Sequence, residues 1–96
     1  MVVADLDDVV YDLEVDGVEV RRQLERRVWE HAGWATVAVA FQERGTDDAW
    51  KPPKVALLRF RRVHDAWQRQ AAITLRGLDA LELADALAGW RARITE

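Results

Sequence analysis

The chain has 96 residues, half of them hydrophobic, and a formal net charge of −3, which indicates one folded domain and excludes wholesale disorder. It contains no cysteine, which excludes disulfides and thiolate zinc sites and suits the reducing cytoplasm. No long apolar run or targeting segment is visible, so we expect no membrane partner.

Charge divides the chain into an acidic N-terminal arm, residues 1–17, and one ββββα domain, residues 18–96. The arm holds six acids and no base, whereas Val18 to Arg76 holds twelve bases against seven acids. The arm either frays or pairs with a sheet edge, and Asp16-Gly17 is typical of a turn. Such asymmetry indicates polyanion binding or a masking tail, and an ordinary solvated surface is the alternative.

The segment Val18–His31 fits two patterns. Its intrinsic propensity favours a helix, but Ala32-Gly33 is typical of a tight turn and leads into an apolar strand, Trp34–Gln42. We therefore predict a hairpin of two strands. Its expected pairs are Val28 with Val37, Arg26 with Val39, Leu24 with Phe41, and on the other side Trp29 with Thr36, His31 with Trp34, Arg27 with Ala38 and Glu25 with Ala40.

A loop, Glu43–Pro53, follows, because glycine, aspartates and Pro52-Pro53 interrupt regular structure. Trp50 and Lys51 lie within it. An exposed tryptophan beside a lysine is a candidate clamp on a ligand, and the alternative is a tryptophan packed under its own loop.

The stretch from Lys54 to Leu75 predicts a second hairpin, with Val63–Ala66 as its turn. Period-2 pairing then separates a mostly apolar side from a side rich in arginine and glutamine. The expected apolar-side pairs are Arg62 with Trp67, Phe60 with Arg69, Leu58 with Ala71 and Ala56 with Ile73. The expected pairs on the polar side are Arg61 with Gln68, Arg59 with Gln70, Leu57 with Ala72 and Val55 with Thr74.

The C-terminal stretch Leu78–Ile94 predicts an amphipathic helix. Its stripe at i+3/i+4 spacing consists of Ala80, Leu83, Leu87, Trp90 and Ile94. Leu78 and Leu81 lie off this stripe, so a helix on one sheet leaves them bare. We expect a homodimer that buries them, or else a wide buried stripe.

The predicted fold is thus α+β: a four-stranded antiparallel meander followed by one C-terminal helix that covers one sheet face. The other side is the open face, which carries Trp34, Thr36, Arg59 and Arg61. Tryptophans there stack on unpaired bases, and arginines and amides contact phosphates and base edges. The predicted nucleic-acid-binding residues are Arg27, Trp29, Trp34, Trp50, Lys51, Arg59, Arg61, Gln68 and Gln70.

The open face therefore predicts binding of single-stranded DNA or RNA. A half-solvated sheet, a dimer interface or a docking site for another protein are the alternatives. A helical segment 18–31 would instead give the element order of a double-stranded-RNA-binding domain.

Catalytic and metal chemistry find little support in the residues. His31 and His64 are the only histidines, and the chain has no serine or cysteine, so neither a zinc spacing nor a nucleophilic triad is visible. We expect no enzyme activity, no cofactor and no metal.

Part of the sequence resembles a known family. Pro52-Pro53-Lys54 opens the third predicted strand, Ala72-Ile73-Thr74-Leu75 closes the fourth, and a helix follows directly. This pattern resembles bacterial members of the transcriptional positive cofactor four group, which shares the Whirly-type fold. The resemblance implies a Whirly-like sheet, single-strand binding, homodimerisation and a role in transcription, replication or repair. Arg76-Gly77 stands where the family often has a capping Asn, Ser or Thr.

Overall fold

A single antiparallel sheet of six strands organises the chain, in a computed structural model that describes residues 1–95. The strands are β1 (Val2–Val3), β2 (Leu13–Val15), β3 (Val18–His31), β4 (Trp34–Glu43), β5 (Lys54–Val63) and β6 (Ala66–Arg76), in the spatial order β1-β6-β5-β4-β3-β2. A 3₁₀ turn (Leu6–Asp8) precedes β2, and helices α1 (Gly77–Gly89) and α2 (Arg91–Ile94) end the chain. The predicted four-stranded sheet is wrong, because residues 1–17 add a strand at each edge.

None of the helices within residues 1–95 has both the length and the apolar composition needed to cross a membrane.

The hairpin of β3 and β4 has the predicted turn and most of the predicted register. Ala32 and Gly33 form the turn with positive φ angles of 51° and 80°, as two-residue hairpins require. Val28 opposes Val37, and Trp29 opposes Thr36. Residues 18–31 are therefore a strand, so the chain does not have the element order that a helical segment would have shared with a double-stranded-RNA-binding domain.

Two register shifts correct the predicted pairings. Near Leu24 the ladder shifts, so Gln23 and not Leu24 opposes Phe41. Between β5 and β6, Phe60 pairs with Arg69 and Arg59 pairs with Ala71. Gln70 is therefore an extra residue in β6. A bulge adds one residue to one strand and exchanges the faces of everything after it.

Beyond Gln70 every predicted pair is therefore displaced by one residue. Leu58 pairs with Ala72, Ala56 with Thr74, Leu57 with Ile73 and Val55 with Leu75. Ile73 consequently lies on the open face, and Thr74 lies on the opposite side. The predictions for these two residues had them exchanged.

The core lies on the covered face, the side of the sheet that carries Ala35, Val37, Val39 and Phe41. Its cover is the N-terminal segment and not the predicted helix, since Leu6 and Val9 belong to the buried cluster. The other buried members are Ala35, Val37, Val39, Phe41, Ala56, Leu58, Phe60 and Trp67. Residues 1–17 are thus part of the fold.

Two arginines on β3 hold the N-terminal segment in place. Arg26 donates from Nη1 to the carbonyl of Val9 at 3.0 Å and forms an ion pair with Asp7 at 3.3 Å. Arg21 donates to the carbonyl of Tyr11 at 2.7 Å, and its guanidinium lies 4.2 Å from the centre of that ring. Arg21 and Arg26, two of the twelve bases between Val18 and Arg76, therefore bind the protein's own N-terminal segment.

Helix α1 buries none of its residues, so the prediction that it covers a sheet face is wrong. It starts directly after β6, where Gly77 lies so close to Pro53 that a Cβ would be 2.9 Å from the Pro53 carbonyl oxygen. Arg76 offers no side-chain cap. It instead donates two hydrogen bonds to the Asp79 carboxylate, which lower the pKa of Asp79.

The adjacent valines of the N-terminal segment test its role in the core. Val9 is 2% exposed and Val10 is 61% exposed. We expect Val9→Ala to lower the free energy of unfolding by about 1.5–3 kcal/mol, the value of a buried valine. Val10→Ala, the matched control, should change it by less than about 0.5 kcal/mol. Urea denaturation measures both, and equal effects would contradict the observed cover.

Candidate functional site

The open face carries a group of arginines and tryptophans near the turn between β3 and β4, which we call the Arg–Trp cluster. Its members are Arg27, Trp29, Trp34, Thr36, Arg59 and Arg61. Strand pairing brings them together, because Trp34 lies opposite Arg61, and Thr36 lies between Trp29 and Arg59 on its two neighbouring strands. Three strands therefore build one site.

Cation–π contacts organise the cluster. The guanidinium carbons of Arg59 and Arg61 lie 4.9 Å and 5.4 Å from the centre of the Trp34 ring. Arg27 lies 5.4 Å from the ring of Trp29. Each distance is within the range of about 6 Å over which a cation is attracted to a ring face. The charges are thereby held beside aromatic surface.

Arg59 is the best-fixed charge of the cluster. Its Nη1 donates to the hydroxyl oxygen of Thr36 at 2.8 Å. This hydrogen bond uses one of the five guanidinium N–H groups and leaves the others for a ligand. A groove of about 180 Å³ passes beside Arg59 and is lined also by Trp29, His31, Trp34 and Thr36.

Charges in the Arg–Trp cluster have no acidic partners. Within the part of the chain that is described, the salt bridges are Arg26–Asp7, Lys54–Glu43 and Arg76–Asp79, and none involves the cluster. Arg27, Arg59 and Arg61 are all exposed. Three unpaired cations on one face favour binding of an anion.

The tryptophans of the cluster offer stacking surface. Trp29 is 50% exposed, and Trp34 is half-buried between its arginine neighbours. Burial on the sheet side fixes a ring, while exposure on the other side leaves a face for a flat ligand. The cluster thus combines aromatic surface with positive charge.

Trp50 and Lys51 lie at the opposite end of the open face from the cluster. Gln42 lies eight positions after Trp34 in β4, and its side chain donates to the Lys51 carbonyl, so the two ends are about 26 Å apart at the usual rise per residue. The structure does not bring Trp50 and Lys51 into the Arg–Trp cluster.

The ring of Trp50 is occupied by the protein itself. Arg22 and Arg44 lie 4.1 Å and 4.5 Å from its centre, and Trp50 forms a backbone bridge with Arg44. Trp50 is half-buried. This arrangement favours the alternative stated for the sequence, a tryptophan packed under its own loop.

The two predicted glutamines border the cluster. Gln68 opposes Arg61 on the open face and is half-buried. Gln70 is the extra residue of the β6 bulge, and its amide donates to the Gln68 carbonyl at 3.4 Å. Gln68 therefore extends the cluster, whereas Gln70 stands outside the regular pairing.

Residues outside the predicted set also shape the site. Thr36 holds Arg59, and His31 lines the groove. The predicted register already put Thr36 opposite Trp29 and His31 opposite Trp34 on the open face. These pairs were the signal that could have added both residues to the predicted site. Arg22 and Arg44 were missed, because only the folded loop brings them to Trp50.

Comparisons of this chain with protein-family models, with curated proteins and with solved structures found no match.

Replacing single tryptophans by alanine tests whether Trp50 stabilises the fold. We expect Trp50→Ala to lower the free energy of unfolding by about 1–2 kcal/mol, since it removes two cation–π contacts and partly buried ring area. Trp29→Ala, the same change at an exposed ring, should cost less than about 1 kcal/mol. Urea unfolding compares the two variants. A larger loss from Trp29→Ala would mean that the roles are reversed.

Proposed function

We propose that the protein binds single-stranded nucleic acid on its open face, without catalysis. The observation that carries the proposal is the Arg–Trp cluster: three unpaired arginines lie beside two tryptophans on one sheet surface. Stacking platforms combined with backbone-tracking positive charge are the general requirements of single-strand binding.

In the proposed complex, Trp29 and Trp34 stack on bases, while Arg27, Arg59 and Arg61 contact phosphates. Bases in a duplex are stacked on each other and present only their edges, so exposed rings favour an unpaired strand. Gln68 supplies a donor and an acceptor for a phosphate or a base edge. Whether the strand is DNA or RNA is decided by contacts to the 2′-hydroxyl.

A docking site for another protein is the competing function of the same face. Arginine and tryptophan are also the residues enriched at protein-binding hot spots. The two functions differ in their dependence on salt, because neutralising several phosphates makes affinity fall steeply with ionic strength.

The proposal includes a homodimer that buries Leu78 and Leu81. These leucines are 71% and 64% exposed, and a helix as short as α1 is marginal in water without tertiary packing. The helical segment carries Asp79, Glu82 and Asp85 in its first half and Arg91 and Arg93 at its end. An antiparallel second copy would place opposite charges together, which favours a partner identical to the chain.

A role in transcription, replication or repair, and a cytoplasmic location, belong to the same proposal. The first is supported by the local similarity of Pro52-Pro53-Lys54 and Ala72–Leu75 to the positive cofactor four group. The second is supported by the cysteine-free composition.

Salt dependence of binding to a fluorescein-labelled oligo(dT) or oligo(U) tests the nucleic-acid proposal. Each phosphate neutralised on a single strand contributes about −0.7 to the slope of log affinity against log salt, so three arginines give about −2. We expect Arg59→Ala/Arg61→Ala to flatten the slope to about −0.7. Fluorescence anisotropy measures both slopes. Salt-independent or absent binding by the unaltered chain would exclude the proposal.

The matched control removes two arginines from the other side of the same hairpin. Arg62 and Arg69 lie on the covered-face side of β5 and β6 and are exposed, so Arg62→Ala/Arg69→Ala should keep most of the slope. Trp34→Ala should weaken binding by about 1–3 kcal/mol through lost stacking and leave the slope unchanged. An equal effect of both arginine pairs would indicate attraction by net charge alone.

Sedimentation tests the homodimer. We expect the unaltered chain to sediment at twice its mass of 11.0 kDa, and Leu81→Asp to shift it to the monomer, because a carboxylate cannot be buried without a partner. Leu13→Asp is the control, since Leu13 is 43% exposed in strand β2 at the far sheet edge. A monomeric unaltered chain at micromolar concentration would contradict the proposal.

A further inference from the structure

The outer edge of β6 is free over most of its length. β1 pairs only with Trp67 and Gln68, and the Arg69 N–H donates to the Met1 carbonyl. No strand within residues 1–95 pairs with β6 on this side beyond that point. A free edge presents unpaired backbone N–H and C=O groups to whatever approaches.

The free edge of β6 carries no charge. From Gln70 to Leu75 the residues are Gln, Ala, Ala, Ile, Thr and Leu, and Ala71, Ala72, Ile73 and Thr74 are exposed. Ile73 is 55% exposed. Proteins normally protect such edges with charged side chains, proline or bulges, and here the bulge at Gln70 leaves Ala71 to Leu75 without such protection.

The other long edge of the sheet shows the expected protection. β2 pairs with β3 only as far as Arg21, and the β3 edge beyond it carries Glu25, Arg26, Arg27 and Glu30 together with the bulge near Leu24. Within one sheet, one exposed edge is guarded by charge and the other is not. This contrast indicates that the β6 edge is covered in the functional state.

We infer that the free edge of β6 pairs antiparallel with β6 of a second copy, which joins the two sheets. Centred on Ile73, the pairing places Ala72 opposite Thr74 and Ala71 opposite Leu75 of the other copy. Gln70 then opposes Arg76, so no like charges meet. The symmetry is isologous, as most homodimers require, and the same register sets Gly77, the start of α1 in each copy, beside Arg69 of the other.

Pairing of the two β6 edges also determines how the two open faces are placed, and this part of the inference rests on the proposed function. The two-fold axis of an antiparallel edge pair stands perpendicular to the sheet, so both open faces lie on the same side. The two β4 strands are five strand spacings apart, about 24 Å across the joined sheet, and the two Arg–Trp clusters lie toward opposite ends of the paired β6 strands. A long single strand can therefore contact both Arg–Trp clusters, whereas a short one contacts only one.

Charge placed on the edge tests the pairing without nucleic acid. In the proposed register A72K/T74K sets lysine against lysine across the two-fold axis, and A72K/T74E sets lysine against glutamate. We expect sedimentation to show a monomer for A72K/T74K and a dimer for A72K/T74E. Circular dichroism and urea unfolding check that both variants fold. Equal behaviour of the two, either both dimeric or both monomeric, would overturn the inference.

Oligonucleotide length separates this inference from the proposed function. We expect A72K/T74K to bind a thirty-nucleotide oligo(dT) at least tenfold more weakly than the unaltered chain, through lost bivalency, and a five-nucleotide one no more weakly. The added lysines can only strengthen attraction to phosphate, so the loss reports on pairing. Monomeric A72K/T74K with undiminished binding of the long strand would overturn the link between pairing and binding. Absence of binding by every protein would instead overturn the proposed function and leave the sedimentation result standing.

Discussion

Packing of Leu6 and Val9 against the sheet is the interaction on which the rest of the structure depends. A twisted six-stranded sheet of this size has two faces, and only one is buried here, in a cluster that includes Val37, Leu58 and Phe60. The cover comes from a segment that sequence composition alone presents as an acidic tail. Because this short segment fills the covered face, α1 buries none of its residues against the sheet and the opposite face stays open.

This division also decides what each arginine does. Arg26 and Arg21 on β3 bind the backbone of the N-terminal segment, and Arg76 pairs with Asp79. Arg59 and Arg61, on the open side of β5, have tryptophan and threonine as neighbours instead of carboxylates. Successive side chains of a strand point to opposite faces. Arg26 on β3 therefore binds the N-terminal segment, whereas its neighbour Arg27 lies on the open face and remains available.

Turn residues and strand alternation correctly predicted the features of this chain that depend on neighbouring residues. The turn at Ala32-Gly33 set the register of β3 and β4 near it, and with it the placement of Trp29 and Trp34 on one face. A bulge has no clear sequence signal, so the faces beyond Gln70 were exchanged. The cover by the N-terminal segment was not predicted. Its apolar side chains, Leu6 and Val9, stand among acids, and the residues they pack against lie far along the chain. The contacts of Trp50 with Arg22 and Arg44 were missed for the same reason, since these arginines meet it only in the folded loop.

The central claim, that the open face binds a single strand, is tested most directly by the indole N–H signals of the five tryptophans in a two-dimensional NMR titration with oligo(dT). Single tryptophan-to-phenylalanine variants assign the signals. The account predicts that Trp29 and Trp34 shift first and furthest, while Trp67, which is 4% exposed on the covered face, stays unmoved. Unchanged signals from Trp29 and Trp34 at saturation, or a response confined to Trp90 between the two helices, would contradict it.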